Sequence, residues 1–221
     1  MKKIFLLTFV LSIFIAFTIS PAMASSSEGN DDQKIIPLVN ERVVHVLQDN
    51  NIDYFIEDGQ ITLKNPTSKI LNNANALLEN SMTYEIQQDS ISIQTTYPTS
   101  WVYMRNYDRV ASKKFTKATK TAFSTALIAW LGGITGGATT LARLAAAGFG
   151  SYYFLNTDEE DIYYFSKYSY RELGPGRFTD TGTFMGDYEI KKVERVTKNS
   201  DGTGGDVDTR YEKSTILEPF F

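Results

Sequence analysis

The run Thr121-Ala-Phe-Ser-Thr-Ala-Leu-Ile-Ala-Trp-Leu-Gly-Gly-Ile-Thr-Gly-Gly-Ala-Thr-Thr-Leu-Ala142 contains no charged side chain. Arg143 interrupts it, and residues 144–157 are again uncharged. Where this material is stowed decides the fold. Taken as one helix, its 22 residues reach about 33 Å, against about 30 Å of hydrocarbon in a bilayer. Gly132, Gly133, Gly136 and Gly137 make two overlapping GxxxG patterns, which in lipid let helices approach closely. In water each glycine costs a helix about 1 kcal/mol, so the same residues also suit a hinge. Two arrangements fit the pattern. One is a conditional membrane inserter. The other is a hairpin of two core helices, at about 109–131 and 138–147, buried under a sheet.

The residues before the run are cationic. Arg105, Arg109, Lys113, Lys114, Lys117 and Lys120 stand against a single acid, Asp108. Ala111, Phe115, Ala118, Ala122, Ala126 and Trp130 recur at spacings of three and four, which predicts a helix with one apolar face and a cationic start. Each Lys or Arg near an anionic lipid surface is worth about 1 kcal/mol. Trp130, Tyr152 and Tyr153 carry rings suited to a bilayer interface. Charge divides the chain into three. Residues 25–103 hold 4 basic and 11 acidic groups, residues 104–157 hold 7 and 1, and residues 158–221 hold 9 and 14. A basic, apolar centre therefore lies between two acidic flanks.

On the N-terminal side, Ile36, Val39, Val43, Val44, Val46 and Leu47 follow a helical stripe that Asp49-Asn50-Asn51 ends. Residues 52–56 and 60–64 flank Glu57-Asp58-Gly59 and predict a β-hairpin. Asn65-Pro66-Thr67-Ser68 opens a second helix, to about Asn80. Met82 to Thr96 alternates like a strand or hairpin. On the C-terminal side, Tyr152, Tyr153, Phe154, Tyr163, Tyr164, Phe165, Tyr168 and Tyr170 are dense aromatics, and Thr183–Thr197 and Val207–Leu217 are further strand candidates. Turn signals at 158–161, 174–176 and 199–205 predict an antiparallel meander of three to five strands.

Little points to catalysis. His45, the one histidine, sits among Val43, Val44 and Val46 and reads as a helix-face residue. No zinc-binding spacing, nucleophile elbow or phosphate-binding loop is present, and the chain has 0 cysteines. Asp158-Glu159-Glu160-Asp161 and the group Asp201, Asp206 and Asp208 superficially suit calcium, yet neither has an EF-hand spacing, and both read as turns. The expectation is a chain without enzymatic activity, metal or other cofactor. Nucleic acid is not an expected partner, because the net charge is −4 and the basic groups lead into an apolar run.

The first residues predict the compartment. Lys2 and Lys3 precede an uncharged stretch, Ile4 to Ile19, then Pro21 and Ala22-Met23-Ala24. That is a secretory signal peptide with cleavage expected after Ala24, which makes the protein secreted. Without disulfides, an exported chain must hold its core by burial alone.

This arrangement resembles a known family. The leader, the acidic helix/hairpin unit and the cationic segment entering a Gly/Ala-rich run, together spanning about Met1 to Phe154, look like the large unmodified bacteriocins secreted by bacilli, of the geobacillin kind. Asn51 to Ile61 followed by Lys64-Asn65-Pro66-Thr67 also looks like a segment of secreted bacillus proteins. The resemblance implies a Gram-positive, antimicrobial, membrane-active protein and transfers no active residues.

The expected fold is therefore α+β, in four parts. Residues 1–24 are a signal peptide, and 25–98 an acidic α+β unit or pro-region. Residues 99–150 form a cationic then apolar, Gly-rich helical hairpin, and 151–221 a Tyr-rich antiparallel β-meander. In the first functional reading, Arg105, Arg109, Lys113, Lys114, Lys117, Lys120 and Trp130 contact an anionic bacterial membrane. Gly132, Gly133, Gly136 and Gly137 then hinge and pack the inserted hairpin, with an immunity protein or other protein as a further partner. In the alternative, the chain is a non-catalytic secreted or cell-surface binding module. Its hairpin is buried core and its meander aromatics are the contact face.

Overall fold

A computed structural model describes residues 36–81, 96–137, 140–156 and 158–220. The expected signal peptide, the residues after it to 35 and the strand or hairpin expected from Met82, as far as residue 95, lie outside the described residues.

The chain is α+β. Asn40 begins the first helix, α1 (Glu41–Asp49), by accepting the Val43 N–H at 3.1 Å with its side chain, which satisfies one orphan donor of the first turn. The hairpin β1 (Tyr54–Glu57) and β2 (Gln60–Leu63) turns on Asp58 and Gly59, both at positive φ. This two-residue turn matches the strand twist and favours Asp-Gly. Thr67 caps α2 (Ser68–Asn80) through the Ile70 N–H.

The larger sheet is built on two long strands, β5 (Glu159–Phe178) and β6 (Phe184–Thr197), with β7 (Asp206–Ser214) outside β6. Two short segments share the outer edge of β5. They are β3 (Val102–Tyr103) and β4 (Arg109–Thr116), separated by a 3-10 turn at Arg105–Tyr107. All pairings are antiparallel. The Gly174-Pro175-Gly176 signal is not a turn between strands. It lies inside β5, where two register shifts accommodate it, and the reversal occurs at 179–183.

The expected helix over about 109–131 is corrected here. Residues 109–116 form a strand paired along its whole length with residues 159–166, and α3 (Lys120–Thr135) begins only after Thr119 caps it through the Ala122 N–H. Arg109, Ala111, Lys113 and Phe115 alternate with Val110, Ser112, Lys114 and Thr116, so the segment carries a period of two as well as a helical one. The edge of β5 offers eight residues of backbone pairing and selects the strand. The second helix of the hairpin, α4 (Thr140–Asn156), runs past the expected boundary at residue 150. Its backbone includes Tyr152 to Phe154, so these three begin no strand.

Strand alternation gives the sheet two unlike faces. The even-numbered residues of β5 and β6 face inward. Ile162, Tyr164 and Val196 lie beneath the α3–α4 hairpin with Phe115, Phe123, Leu127, Leu131, Leu141 and Phe149, all buried. At the other end Phe178, Phe184 and Tyr188 are covered by Val43, Leu47, Ile61, Leu63, Ala74 and Leu78 of the N-terminal unit. Arg42 clamps that unit, donating to Glu172 from Nε at 2.9 Å and from Nη2 at 2.5 Å.

In α3 the buried stripe is Phe123, Leu127 and Leu131, one residue per turn. Ala142, Ala145 and Ala146 of α4 are also buried there, small enough to let the two helices pack on the sheet together. Replacing Leu127 with Ala should cost about 2–5 kcal/mol, the loss typical of a fully buried leucine that leaves a cavity. Urea unfolding followed by circular dichroism measures it.

Candidate functional site

The residues expected to engage a membrane do not share one surface. Arg105 is in the 3-10 turn, Arg109, Lys113 and Lys114 are on β4, Lys117 is in the following loop, and Lys120 opens α3. Adjacent strand residues point to opposite faces, so Lys113 and Lys114 diverge. Arg109 donates from Nη1 to the Ile134 carbonyl at 3.1 Å, near the C-terminal end of α3. Lys113 lies 5.9 Å from the centre of the Phe115 ring. Lys114 pairs with Glu159 at 3.4 Å and Lys117 with Asp158 at 3.3 Å, at exposed positions where such pairs contribute little. Trp130 packs edge-on against Phe115, with ring centres 5.9 Å apart. The side chains of Tyr152 and Tyr153 lie outside what is described.

The glycines do not act alike either. Gly132 and Gly133 are inside α3, while Gly136 ends it at φ 75°, where its lack of a Cβ is required. The Gly137 N–H returns to the Gly132 carbonyl at 2.9 Å. A Cβ added at Gly133 or Gly137 meets nothing within 4 Å, so no close helix contact depends on either in this arrangement. Gly133→Ala should therefore stabilise the protein by up to about 1 kcal/mol through helix propensity alone. Gly136→Ala should destabilise it through the left-handed backbone. Denaturant midpoints of the two variants measure both signs.

The remaining expected positions are structural. His45 is exposed on α1. Asp201 is used by its own turn, accepting the Thr203 N–H at 2.9 Å and the Thr203 hydroxyl at 2.7 Å. Asp158 and Glu159 serve the ion pairs above. A cavity of about 240 Å³ lies between the β1–β2 turn and the C-terminal tail, lined among others by Leu38, Asp58, Gln60, Phe184 and Leu217.

Two arrangements were not foreseen. The first is an ionic seam in the middle of the inward face, between the two apolar covers. Glu194, 0% exposed, accepts the Tyr164 hydroxyl at 2.6 Å, Lys192 Nζ at 3.0 Å and two donors of Arg210 at 3.0 and 2.6 Å. Burial alone raises the Glu194 carboxyl, but these donors outweigh it and hold it below its ordinary value. Burial lowers Lys192, against the pull of Glu194, and pushes the Tyr168 hydroxyl up to about 12.

The seam was legible only as an oddity of phase. Lys192 and Glu194 occupy the inward positions of a series whose other members are Tyr188, Ile190 and Val196. Its carboxylate contributes to acid stability. The carboxyl pKa is depressed in the folded state, so its stabilisation is present above about 4.5, the unfolded value, and is lost as pH falls through the folded value. Glu194→Gln should remove this acid dependence and cost about 3–5 kcal/mol at neutral pH, because Lys192 and Arg210 lose their counter-charge. Urea titrations between pH 3 and 7 test it.

The second arrangement is the outward face, which no other element described here covers. One row across it reads Val110, Phe165, Arg195, Val207, and another reads Tyr103, Ser169, Lys191, Tyr211. The Trp101 ring lies among them, with Lys191 Nζ 4.4 Å from the ring centre, Arg171 at 4.7 Å and the Tyr211 ring at 5.9 Å. Tyr163 and Phe165 stack at 6.5 Å nearby. Val110 is 63% exposed, Tyr211 58%, Tyr103 44% and Val207 42%. Lys167 and Lys213 are also exposed on this face. Contiguous exposed apolar surface marks a contact site, whereas single exposed apolar side chains are ordinary.

No family model matches the chain, no curated protein matches it in sequence, and no solved structure matches its fold.

Proposed function

We propose that this chain is an exported, non-catalytic binding module whose outward sheet face docks a partner protein at the cell surface. One observation carries the reading: Tyr103, Val110, Val207 and Tyr211 stay exposed together on one face, interleaved with Lys167, Lys191, Arg195 and Lys213. Exposed valines beside aromatics suit a protein surface with apolar spots and an acidic rim. The titratable groups buried in the sheet, Lys192, Glu194 and Glu172, are consumed by pairing with one another or with Arg210 and Arg42.

The membrane-insertion reading keeps one observation in its favour. The exposed side of the hairpin is largely uncharged, showing Thr121, Thr125, Ala129, Gly133 and Leu144, with Lys120 at its start and Arg143 as exposed charges. Insertion moves Phe123, Leu127, Leu131, Leu141 and Phe149 out of the core and uncovers Phe115, Ile162, Tyr164 and Val196 beneath them. Lipid shelters the departing side chains but not the sheet, where each large apolar side chain left in water costs about 1.5–3 kcal/mol. Among the described residues no helix is long and apolar enough to cross a membrane.

A fluorescent form of the purified chain separates the two readings. Docking through the outward face predicts saturable binding to intact Gram-positive cells that Val110→Asp with Tyr211→Ser weakens at least about tenfold, since truncating anchors of this kind costs upward of 1 kcal/mol each. It also predicts that anionic vesicles keep their dye. Dye release that survives the two face substitutions returns the account to insertion.

A further inference from the structure

The strand β7 closes the sheet, and among the described residues it pairs with β6 alone. Among the described residues no strand pairs with its other edge, although α4 comes close to its first residue, where a Cβ on Gly148 would lie 3.1 Å from the Asp206 carboxylate. Such an edge is a template for another strand unless its charges oppose pairing. The sequence of the edge is Asp206-Val207-Asp208-Thr209-Arg210-Tyr211-Glu212-Lys213-Ser214. We propose that it pairs with itself, antiparallel, joining two copies of this chain about a two-fold axis at Tyr211.

Charge selects both the occupant and the register. In an antiparallel self-pair the residue on the axis meets its own copy, and the others meet in mirror order. With Arg210 on the axis, Arg210 faces Arg210 and Asp208 faces Glu212 twice, all like charges and all unfavourable. With Thr209 on the axis, Asp208 faces Arg210 twice, but Asp206 then faces Glu212 twice. Moving the axis to Tyr211 removes every like-charge pair. Arg210 then faces Glu212 of the second copy, twice over. Asp208 faces Ser214, Thr209 faces Lys213, and the two Tyr211 rings meet. Glu212 is exposed, so it is available for the partner, while Arg210 already gives Nε and Nη2 to Glu194 and meets Glu212 of the second copy through Nη1.

The same register keeps the two copies the same way up, because opposed residues share a face. The outward faces of both copies become one surface with the paired Tyr211 rings at its centre. A partner with two docking spots then meets both at once, which raises avidity without a new contact. The dimer does not depend on what the outward face binds.

The chain has no cysteine, which makes the register directly readable. Directly opposed residues in an antiparallel pair lie about 4.5–5.5 Å apart at Cα, within disulfide range. Tyr211→Cys should therefore cross-link to its own copy under mild oxidation. Val207→Cys should not, because in this register it lies about 27 Å along the strand from its copy. Both positions are exposed, so folding is not at stake. Sedimentation of the unmodified chain, 24.9 kDa, should show a dimer by about 100 µM. Glu212→Lys should weaken that dimer at least about tenfold by setting Lys against Arg210. A monomer throughout that range, equal cross-linking of the two cysteines, or a dimer indifferent to Glu212→Lys overturns the proposal.

Discussion

The alternation of β5 and β6 constrains everything else. The paired strands present Ile162, Tyr164, Tyr168, Tyr188, Ile190 and Val196 to one side, and that side must be covered along its whole length. Neither cover is long enough alone. The α3–α4 hairpin takes one end and the N-terminal helices with their β-hairpin take the other. Between them the C-terminal tail crosses, its Leu217 and Phe220 carbonyls accepting the hydroxyls of Tyr107 at 3.2 Å and Tyr168 at 2.9 Å. The Glu194 seam fills the same gap. A buried carboxylate with two cationic partners adds little net stability, but it holds β5, β6 and β7 in one register, since any slip strands a charge.

Local chemistry made part of this fold legible. The Asp58-Gly59 turn, the Thr67 cap and the glycine-rich reversal at 199–205 each specify their conformation within a few residues, and the structure has them where the sequence places them. What failed was decided at long range. Residues 109–116 carry both periods, and only the exposed edge of β5, some fifty residues later, chooses between them. Gly174-Pro175-Gly176 has the composition of a turn, yet the same backbone freedom, with Gly176 at φ 69°, serves two bulges within a continuous strand. The charge-free run fits two arrangements by sequence, a lipid inserter and a hairpin under a sheet, and in this structure it packs over Phe115, Ile162, Tyr164 and Val196.

The candidate surface was less legible than the fold. Aromatic density marked residues 163–170 as a contact face in one of the two readings, but alternation divides them. Tyr164 and Tyr168 are core, while Tyr163 and Phe165 look outward. Trp101 and Tyr103 join them only because β3 lies on the edge of β5, a pairing that no local pattern announces. The cations read as a helical stripe belong instead to a strand, a loop and a helix start, and most are occupied by neighbours.

The central claim is that the hairpin is a permanent roof of the sheet, which leaves the outward face as the working surface. Native-state amide hydrogen exchange as a function of denaturant measures this without knowing any ligand. The account predicts that the slowest amides of Phe123 to Leu131 and of Leu141 to Phe149 open with the same free energy, within about 1 kcal/mol, as those of β5 and β6. Opening of both helices several kcal/mol below the sheet, with no dependence on denaturant, would contradict it.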